Sequence, residues 1–224
     1  DRDWSSDVCS SDLNPYWWPV KPSIRRLAKA AATGDYSLRF SAWYFFSWSA
    51  ERERKFHAYV DALAQACATF AAEQGFQLVV FGMEQLDAQA CMLLAQRLRE
   101  LGCESVPLFL SNECDGYVMT AALRSLQLLV TSRYHAQVLS SAALVPTVAV
   151  SMDERLVNLA DELHCDAELL LTVDDPDLAP RILLALDHAF GRADAIRANL
   201  AVALRTQEDT LDAMGRWLVH QLER

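Results

Sequence analysis

The stretch LLVTSRYHAQVLSSAALVPTVAVSMDERLVNLADEL, residues 128–163, decides the fold. It holds most of one short apolar run, residues 126–131, and all of another, residues 146–151, and each is followed by a segment with helical apolar spacing. Strands of four to eight residues that alternate with helices are typical of repeated β-α-β units, whose strands form a parallel sheet. Because these strands show no polar alternation, we expect helices on both faces of that sheet.

The same alternation extends along the chain in both directions. It predicts helices at 49–73, 88–101, 117–123, 134–143 and 154–163, and further strands at 36–48, 76–81, 106–110 and 169–173. Gly75 and Gly102 are expected to end the first two of these helices. The fold class predicted is therefore α/β, a Rossmann-like parallel sheet flanked by helices over residues 36–176. A linker with a short helix at 24–32 precedes it (14–35), and a C-terminal helical tail follows it (177–224), with helices at 180–190 and 192–222.

Composition narrows the class of protein. The chain of 224 residues is 52% hydrophobic and 22% charged, which is ordinary for a globular protein. A formal net charge of −10 disfavours nucleic acid or an anionic membrane as the partner. The six cysteines form no C-x-x-C pair, and neither a signal peptide nor an apolar run of the ~20 residues that a membrane span needs is present. We therefore expect a cytoplasmic protein with reduced thiols and no transmembrane segment.

The first thirteen residues differ from the rest of the chain. Residues 3–13, DWSSDVCSSDL, show neither helical nor strand periodicity, and they match the in-frame translation of a common sequencing adapter. Residues 1–13 are therefore interpreted as an artefactual or disordered segment, and the gene is expected to begin upstream. A genuine disordered Ser/Asp tail is the alternative.

Residues that follow a strand carry the functional information, because ligands of open parallel sheets bind at the carboxyl ends of the strands. The sequence contains no G-x-G-x-x-G, no P-loop, no G-x-S-x-G and no H-E-x-x-H, and we expect no metal. Arg133 and His135 follow one strand at the start of a helix, where backbone N–H groups favour an anion. Arg155 follows the neighbouring strand. Such cations suit a small anionic ligand. The structural alternative is an ion-paired Arg133 and a buried, hydrogen-bonded His135.

At these residues the sequence resembles the polysaccharide pyruvyl transferase family. That family has a strand, Arg-Leu-His, a helix rich in small residues, Gly-Val-Pro, a strand and Ser-Tyr-Asp-x-Lys. Here the motifs stand as RYH at 133–135, LVP at 144–146 and SMDER at 151–155. Tyr134, Leu144, Met152 and Arg155 therefore replace the family's Leu, Gly, Tyr and Lys, and every cationic position is retained. The resemblance covers roughly residues 36–175, most specifically 132–155.

The resemblance implies the C-terminal half of a GT-B-like two-domain enzyme, whose N-terminal domain is missing here. It implies transfer of the enolpyruvyl unit of phosphoenolpyruvate to a polysaccharide or lipid-linked sugar acceptor, which forms a pyruvate ketal. No cofactor is expected beyond this donor substrate. Arg133 would bind the donor carboxylate or phosphate, Arg155 the phosphate, and His135 would stabilise phosphate or act as an acid. A lipid-linked acceptor leaves room for peripheral association with the inner membrane face.

Ser132, Tyr134, Glu84 and Asp87 are further candidates for lining the substrate crevice, with helix capping and loop solvation as the structural alternative. His57, His164, His188 and His220 lie away from the strand ends and are expected to be surface or packing residues. Two other functions stay open. One is a nucleotide-sugar-dependent GT-B glycosyltransferase half, in which Glu154 could bind a ribose, because fold does not fix function. The other is a non-catalytic Rossmann-like binding module.

Overall fold

The computed structural model describes residues 50–84, 87–151 and 154–222. Several predictions fall on the remaining residues and lie outside the described part of the chain. They are the adapter-like segment, the linker with its helix at 24–32, the strand at 36–48, and the residues Met152 and Asp153 of the SMDER motif.

Helices and strands alternate through the described residues, as the apolar pattern predicts. The helices are α1 (Ala50–Gln74), α2 (Asp87–Glu100), α3 (Gly116–Arg124), α4 (Tyr134–Ser141), α5 (Glu154–Glu162), α6 (Leu178–Gly191) and α7 (Ala193–Leu222). The strands are β1 (Val80–Gly82), β2 (Leu108–Leu110), β3 (Leu129–Thr131), β4 (Thr147–Ser151) and β5 (Leu170–Thr172). A single 3₁₀ turn, Ala167–Leu169, precedes β5.

Most strands are shorter than the apolar runs that predict them, and proline sets the limit for two of them. The Val80 N–H donates to the Pro107 carbonyl, and the Leu129 N–H donates to the Pro146 carbonyl. Proline has no N–H to donate to the neighbouring strand, so each parallel ladder begins one residue after the proline. The apolar residues before Val80 and Leu129 therefore lie outside the ladders.

The described chain divides into two compact units, and residues of the expected 36–176 domain occur in both. The first unit contains the residues up to Asp115 together with Pro176–Pro180. Its strands β1 and β2 are parallel, with Val80 opposite Leu108, and α1 and α2 pack against each other. Its buried core contains Ala64, Ala68, Val80, Cys91, Ala95, Leu98, Val106 and Leu110.

The second unit contains residues 116–175 and 181–224, and its sheet has the order β3-β4-β5. All three strands are parallel, with Thr131 opposite Ala149 and Ser151 opposite Thr172. Strand β4 lies in the middle and is buried at all five positions. A strand without polar alternation is expected where both faces are covered, and this expectation is confirmed for β4.

Helix α7 is buried only in its first half. Ile196, Leu200 and Ala203 are buried, whereas every residue from position 208 to 222 is exposed. Helix α7 therefore contributes to the core of the second unit only at its beginning. Among the described residues, no helix is both long and apolar enough to cross a membrane.

These observations establish an α/β protein with small parallel sheets flanked by helices, which is compatible with a Rossmann-like fold. The described strands form one sheet of two and one of three, where the sequence suggested a single sheet.

Candidate functional site

The junction between β3 and α4 is held by a threonine. The Thr131 hydroxyl accepts a hydrogen bond from the Arg133 N–H at 2.9 Å and donates to the Arg133 carbonyl oxygen at 3.4 Å. Arg133 is the N-cap residue of α4 with extended backbone angles, and its side chain does not cap the helix. Its guanidinium is therefore not engaged in capping, and the backbone that carries it is fixed at the end of a buried strand.

Tyr134 and His135 begin α4. Their rings meet edge to face, with centroids 5.5 Å apart and an interplanar angle of 80°. His135 is exposed, whereas Ser132, Arg133 and Tyr134 are half-buried. The expected alternative of a buried His135 is therefore wrong, and solvent can reach this imidazole in the first turn of the helix.

Strand β4 brings the segment that begins at Ser151 to the same edge of the sheet. Because β3 and β4 are parallel, their carboxyl ends lie on one side, about 5 Å apart across the ladder. Ser151 is buried as the last residue of β4, and its carbonyl accepts a hydrogen bond from the Val173 N–H at 3.2 Å. Glu154 is exposed and Arg155 half-buried in the first turn of α5. The segments carrying Arg133, His135 and Arg155 thus share one sheet edge.

Glu84 and Asp87 lie in the other unit, after β1. Asp87 is buried, and its carboxylate accepts a hydrogen bond from the Glu84 N–H at 3.1 Å. The Asp87 N–H in turn donates to the Glu84 carbonyl at 3.0 Å. This reciprocal pair links Glu84 to the first residue of α2, as in the return bond of a capping box, and substrate binding by Glu84 and Asp87 stays a prediction.

A carboxylate–guanidinium pair after β5 was missed in the sequence. Asp175 accepts a hydrogen bond from the Thr172 N–H at 2.9 Å, and Arg181 lies 2.9 Å from its other oxygen. The hydrogen bond from the Thr172 backbone, with smaller contributions from the Thr172 hydroxyl and then the charge of Arg181, holds the pKa of the Asp175 carboxyl below its usual value. The run DDPD at 174–177 resembles an ordinary polar turn, and nothing local to it indicates a partner six residues away.

A second polar cluster joins the loop after α5 to the C-terminal end of α6. Asp166 Oδ2 lies 3.0 Å from His188 Nε2 and 3.0 Å from Arg192 Nη1. Burial, and after it the charge of Asp166, raises the pKa of the neighbouring Cys165 thiol to about 11. That thiol is therefore protonated at neutral pH and is a poor nucleophile. His188 thus lies in an ion-paired cluster between the loop after α5 and α6, away from the strand ends.

The end of α4 carries a backbone feature at the position where the pyruvyl transferase motif has glycine. Leu144 has φ +57°, a left-handed conformation that favours glycine. Its N–H donates to the Ser141 carbonyl at 2.8 Å, and the Val145 N–H donates to the Ser140 carbonyl at 3.4 Å. These two bonds are the Schellman pattern that ends many helices. Position 144 therefore has a backbone conformation that glycine would adopt without strain.

A further concave surface lies on the exposed half of α7. A groove of about 560 Å³ is lined by Leu211, Asp212, Gly215, Arg216, Val219 and His220, all on the exposed half of α7. None of these residues belongs to a strand end. Within the described ranges, no group of three or more His, Cys, Asp or Glu side chains is arranged to hold a metal ion.

Comparisons with protein-family models, with curated proteins and with solved structures find no match for the chain. The class of protein that the structure defines is thus an α/β protein with cationic residues at one edge of a three-stranded parallel sheet. A more specific assignment depends on the chemistry of that edge.

Proposed function

We propose that the chain is part of an enzyme that transfers the enolpyruvyl group of phosphoenolpyruvate to a sugar and forms a pyruvate ketal. The observation that carries this proposal is the shared edge of β3 and β4, where Arg133, His135 and Arg155 follow adjacent parallel strands. Phosphoenolpyruvate combines a phosphate and a carboxylate in a small molecule. Clustered guanidinium groups suit both, because each can bind an oxyanion through two N–H groups.

The three residues have distinct proposed roles. Arg133 binds the donor carboxylate or phosphate, and Arg155 binds the phosphate. Because arginine stays protonated, Arg155 supplies charge but does not transfer a proton, unlike the lysine of the pyruvyl transferase motif. His135 stabilises the phosphate or donates a proton, since its imidazole is accessible.

The proposed chemistry proceeds through two additions at one carbon. A proton is added to the methylene carbon of the donor, and a sugar hydroxyl attacks the adjacent oxocarbenium-like carbon, losing its own proton. The bond from that carbon to the phosphate oxygen then breaks, and inorganic phosphate leaves with the electron pair. A second hydroxyl attacks the regenerated centre, gives up its proton to the departing phosphate and closes the ketal. Cations at the sheet edge stabilise the phosphate as it departs.

The test is acceptor-dependent phosphate release by the full-length gene product, because the proposal includes a second domain for the acceptor. Phosphoenolpyruvate is incubated with a panel of sugar acceptors, and Arg133→Ala and His135→Ala are compared with Arg197→Ala. Arg197 pairs with Asp194 at 3.0 Å on α7 and serves as a matched exposed cation. Release that is lost in the first two variants and kept in the third supports the proposal. Donor binding and turnover that survive Arg133→Ala would contradict it.

A nucleotide-sugar-dependent glycosyltransferase is the second candidate, and the position of Glu154 favours it. This carboxylate is exposed in the first turn of α5, beside the end of β4, where it could accept hydrogen bonds from a ribose diol. Thermal stabilisation by a nucleotide sugar without any by phosphoenolpyruvate would select this function. Binding of phosphoenolpyruvate by the full-length protein without turnover of any acceptor would instead indicate a non-catalytic module.

A further inference from the structure

The edge formed by β3 and β4 continues to β5, and a third arginine lies there. Strand β5 pairs with β4 on the side away from β3, and all three strands are parallel. With about 4.8 Å between neighbouring strands, the carboxyl ends of β3 and β5 lie about 10 Å apart with the end of β4 between them. The helix after each strand carries an arginine at its start: Arg133 as the N-cap of α4, Arg155 in α5 and Arg181 in α6.

Arg181 is anchored by a carboxylate that is itself fixed to the backbone. Asp175 accepts from the Thr172 N–H at the last residue of β5, and its other oxygen lies 2.9 Å from Arg181 Nη1. The Asp175 side chain is 18% exposed, whereas that of Arg181 is 44% exposed. The carboxylate is thus largely shielded while the guanidinium is accessible. A guanidinium has five N–H donors, so a contact through Nη1 leaves several donors for a ligand.

The position of Arg181 opposes the stability of its own helix. It lies in the first turn of α6, which contains no acidic residue, and the N-terminal end of a helix disfavours a cation. Arg192, just beyond the other end of α6, has the favoured arrangement and also pairs with an aspartate, Asp166. Asp175 offsets part of the unfavourable interaction at Arg181. A bound anion at this edge would offset the rest.

We infer that Arg181, positioned by Asp175, is a third anion-binding residue of this sheet edge and contacts a phosphoryl oxyanion of the ligand. The inference rests on the proposed function for the identity of that ligand, and it extends the site from two strands to three. Arg181 is outside the resemblance to the pyruvyl transferase motifs, which ends near residue 175.

The experiment measures dissociation constants for phosphoenolpyruvate and for inorganic phosphate by calorimetry, using the 224-residue chain. Arg181→Ala is compared with Arg192→Ala, since each variant removes one accessible guanidinium and leaves one aspartate without it. Arg181→Ala should raise the dissociation constants of both ligands about tenfold, as the loss of one charge-assisted contact predicts. Arg181→Lys should recover part of this loss, and Arg192→Ala should bind as the unmodified chain does.

The outcomes separate this inference from the proposed function. If Arg133→Ala weakens binding and Arg181→Ala does not, Arg181 is a structural residue and the inference is wrong, while the proposed function stands. If Arg181→Ala and Arg192→Ala weaken binding equally, the effect is one of net charge and the inference is also wrong. If Arg181→Ala weakens phosphate binding but the full-length protein does not release phosphate from phosphoenolpyruvate, the anion site stands and the pyruvyl transfer fails. A chain that binds neither anion overturns both.

Discussion

Leu144 provides the sharpest test of the structure, because its backbone conformation reverses an ordinary stability ranking. At a right-handed helical position, alanine is more stable than glycine by about 1 kcal/mol. At Leu144, with φ +57°, the same comparison should change sign. A left-handed conformation costs a residue with a Cβ about 1–2 kcal/mol, and glycine avoids that cost.

The magnitude follows from two opposing contributions. Glycine avoids the left-handed strain but gives up about 0.5–1 kcal/mol in backbone entropy relative to alanine. Leu144→Gly should therefore be more stable than Leu144→Ala by roughly 0–1.5 kcal/mol, with a midpoint of about 0.75 kcal/mol. Because both variants lose the same half-buried leucine side chain beyond Cβ, the lost packing cancels in this comparison. In a chain of this size, a stability difference of about 1 kcal/mol shifts Tm by about 2–4 °C.

Thermal and urea unfolding of the two variants measure the difference, and Ala142 supplies the control. Ala142 is exposed and right-handed, with φ −62° and ψ −19°, and lies only two residues away. Ala142→Gly should destabilise the chain by about 1 kcal/mol. A Leu144→Ala variant more stable than Leu144→Gly by about 1 kcal/mol, the ranking of a right-handed position, would refute the left-handed turn at the end of α4.

Three further predictions concern packing and titration. Gly82→Ala should destabilise the chain by about 1–3 kcal/mol in urea unfolding, because the new Cβ would lie 2.9 Å from Leu110 Cδ2. Asp175→Asn should lower stability at pH 7, and the loss should be smaller at pH 3. The pKa of Asp175 in the folded chain lies below the unfolded value of about 3.9, so the stabilisation is fully present above that value and declines as pH falls through the folded pKa. Cys67 and Cys165 should resist iodoacetamide at pH 8 in the folded chain, because burial raises their pKa values to about 12 and about 11.

Each of these has its own control. Gly215 lies in open space on α7, so Gly215→Ala should be neutral or stabilising. Equal losses of stability in Gly82→Ala and Gly215→Ala would contradict the packing argument. For Asp175, a stability difference that does not change between pH 7 and pH 3 would show that its charge is irrelevant. For the thiols, alkylation as fast in the folded chain as in urea would show that they are not buried.

Much of the fold could be predicted because the chain follows local rules consistently. Apolar spacing located α1 to within a residue at each end, and Gly75 and Gly102 end their helices with φ +72° and +96°, as expected. The predicted strand ends were less accurate than the predicted helix ends, because where a strand begins and ends depends on its pairing with a partner strand. Pairing begins one residue after Pro107 and one residue after Pro146. To predict where a ladder begins, one must know which residues lie opposite each other, and no local sequence pattern contains that register.

The candidate site divides in the same way. The positions of Arg133, His135 and Arg155 after adjacent parallel strands could be predicted, because each follows a recognisable strand within one continuous stretch. The Asp175–Arg181 and Asp166–His188 contacts could not be found, since they join residues across turns and between elements whose spacing has no sequence period. Asp87 was interpreted from its place after a strand, but its bond to the Glu84 N–H is decided by the geometry of the turn.

The central place of β4 has a consequence for hydrogen exchange. Its backbone pairs on both sides, with β3 and with β5, and all five of its residues are buried. Amide protons at positions 147–151 should therefore exchange only when the second unit opens as a whole, whereas the two-stranded β1-β2 ladder reports on the first unit. Peptides from the two ladders, followed by mass spectrometry, would give each unit its own opening free energy. They would also show whether the strand end that carries Ser151 belongs to the slowest-opening part of the second unit.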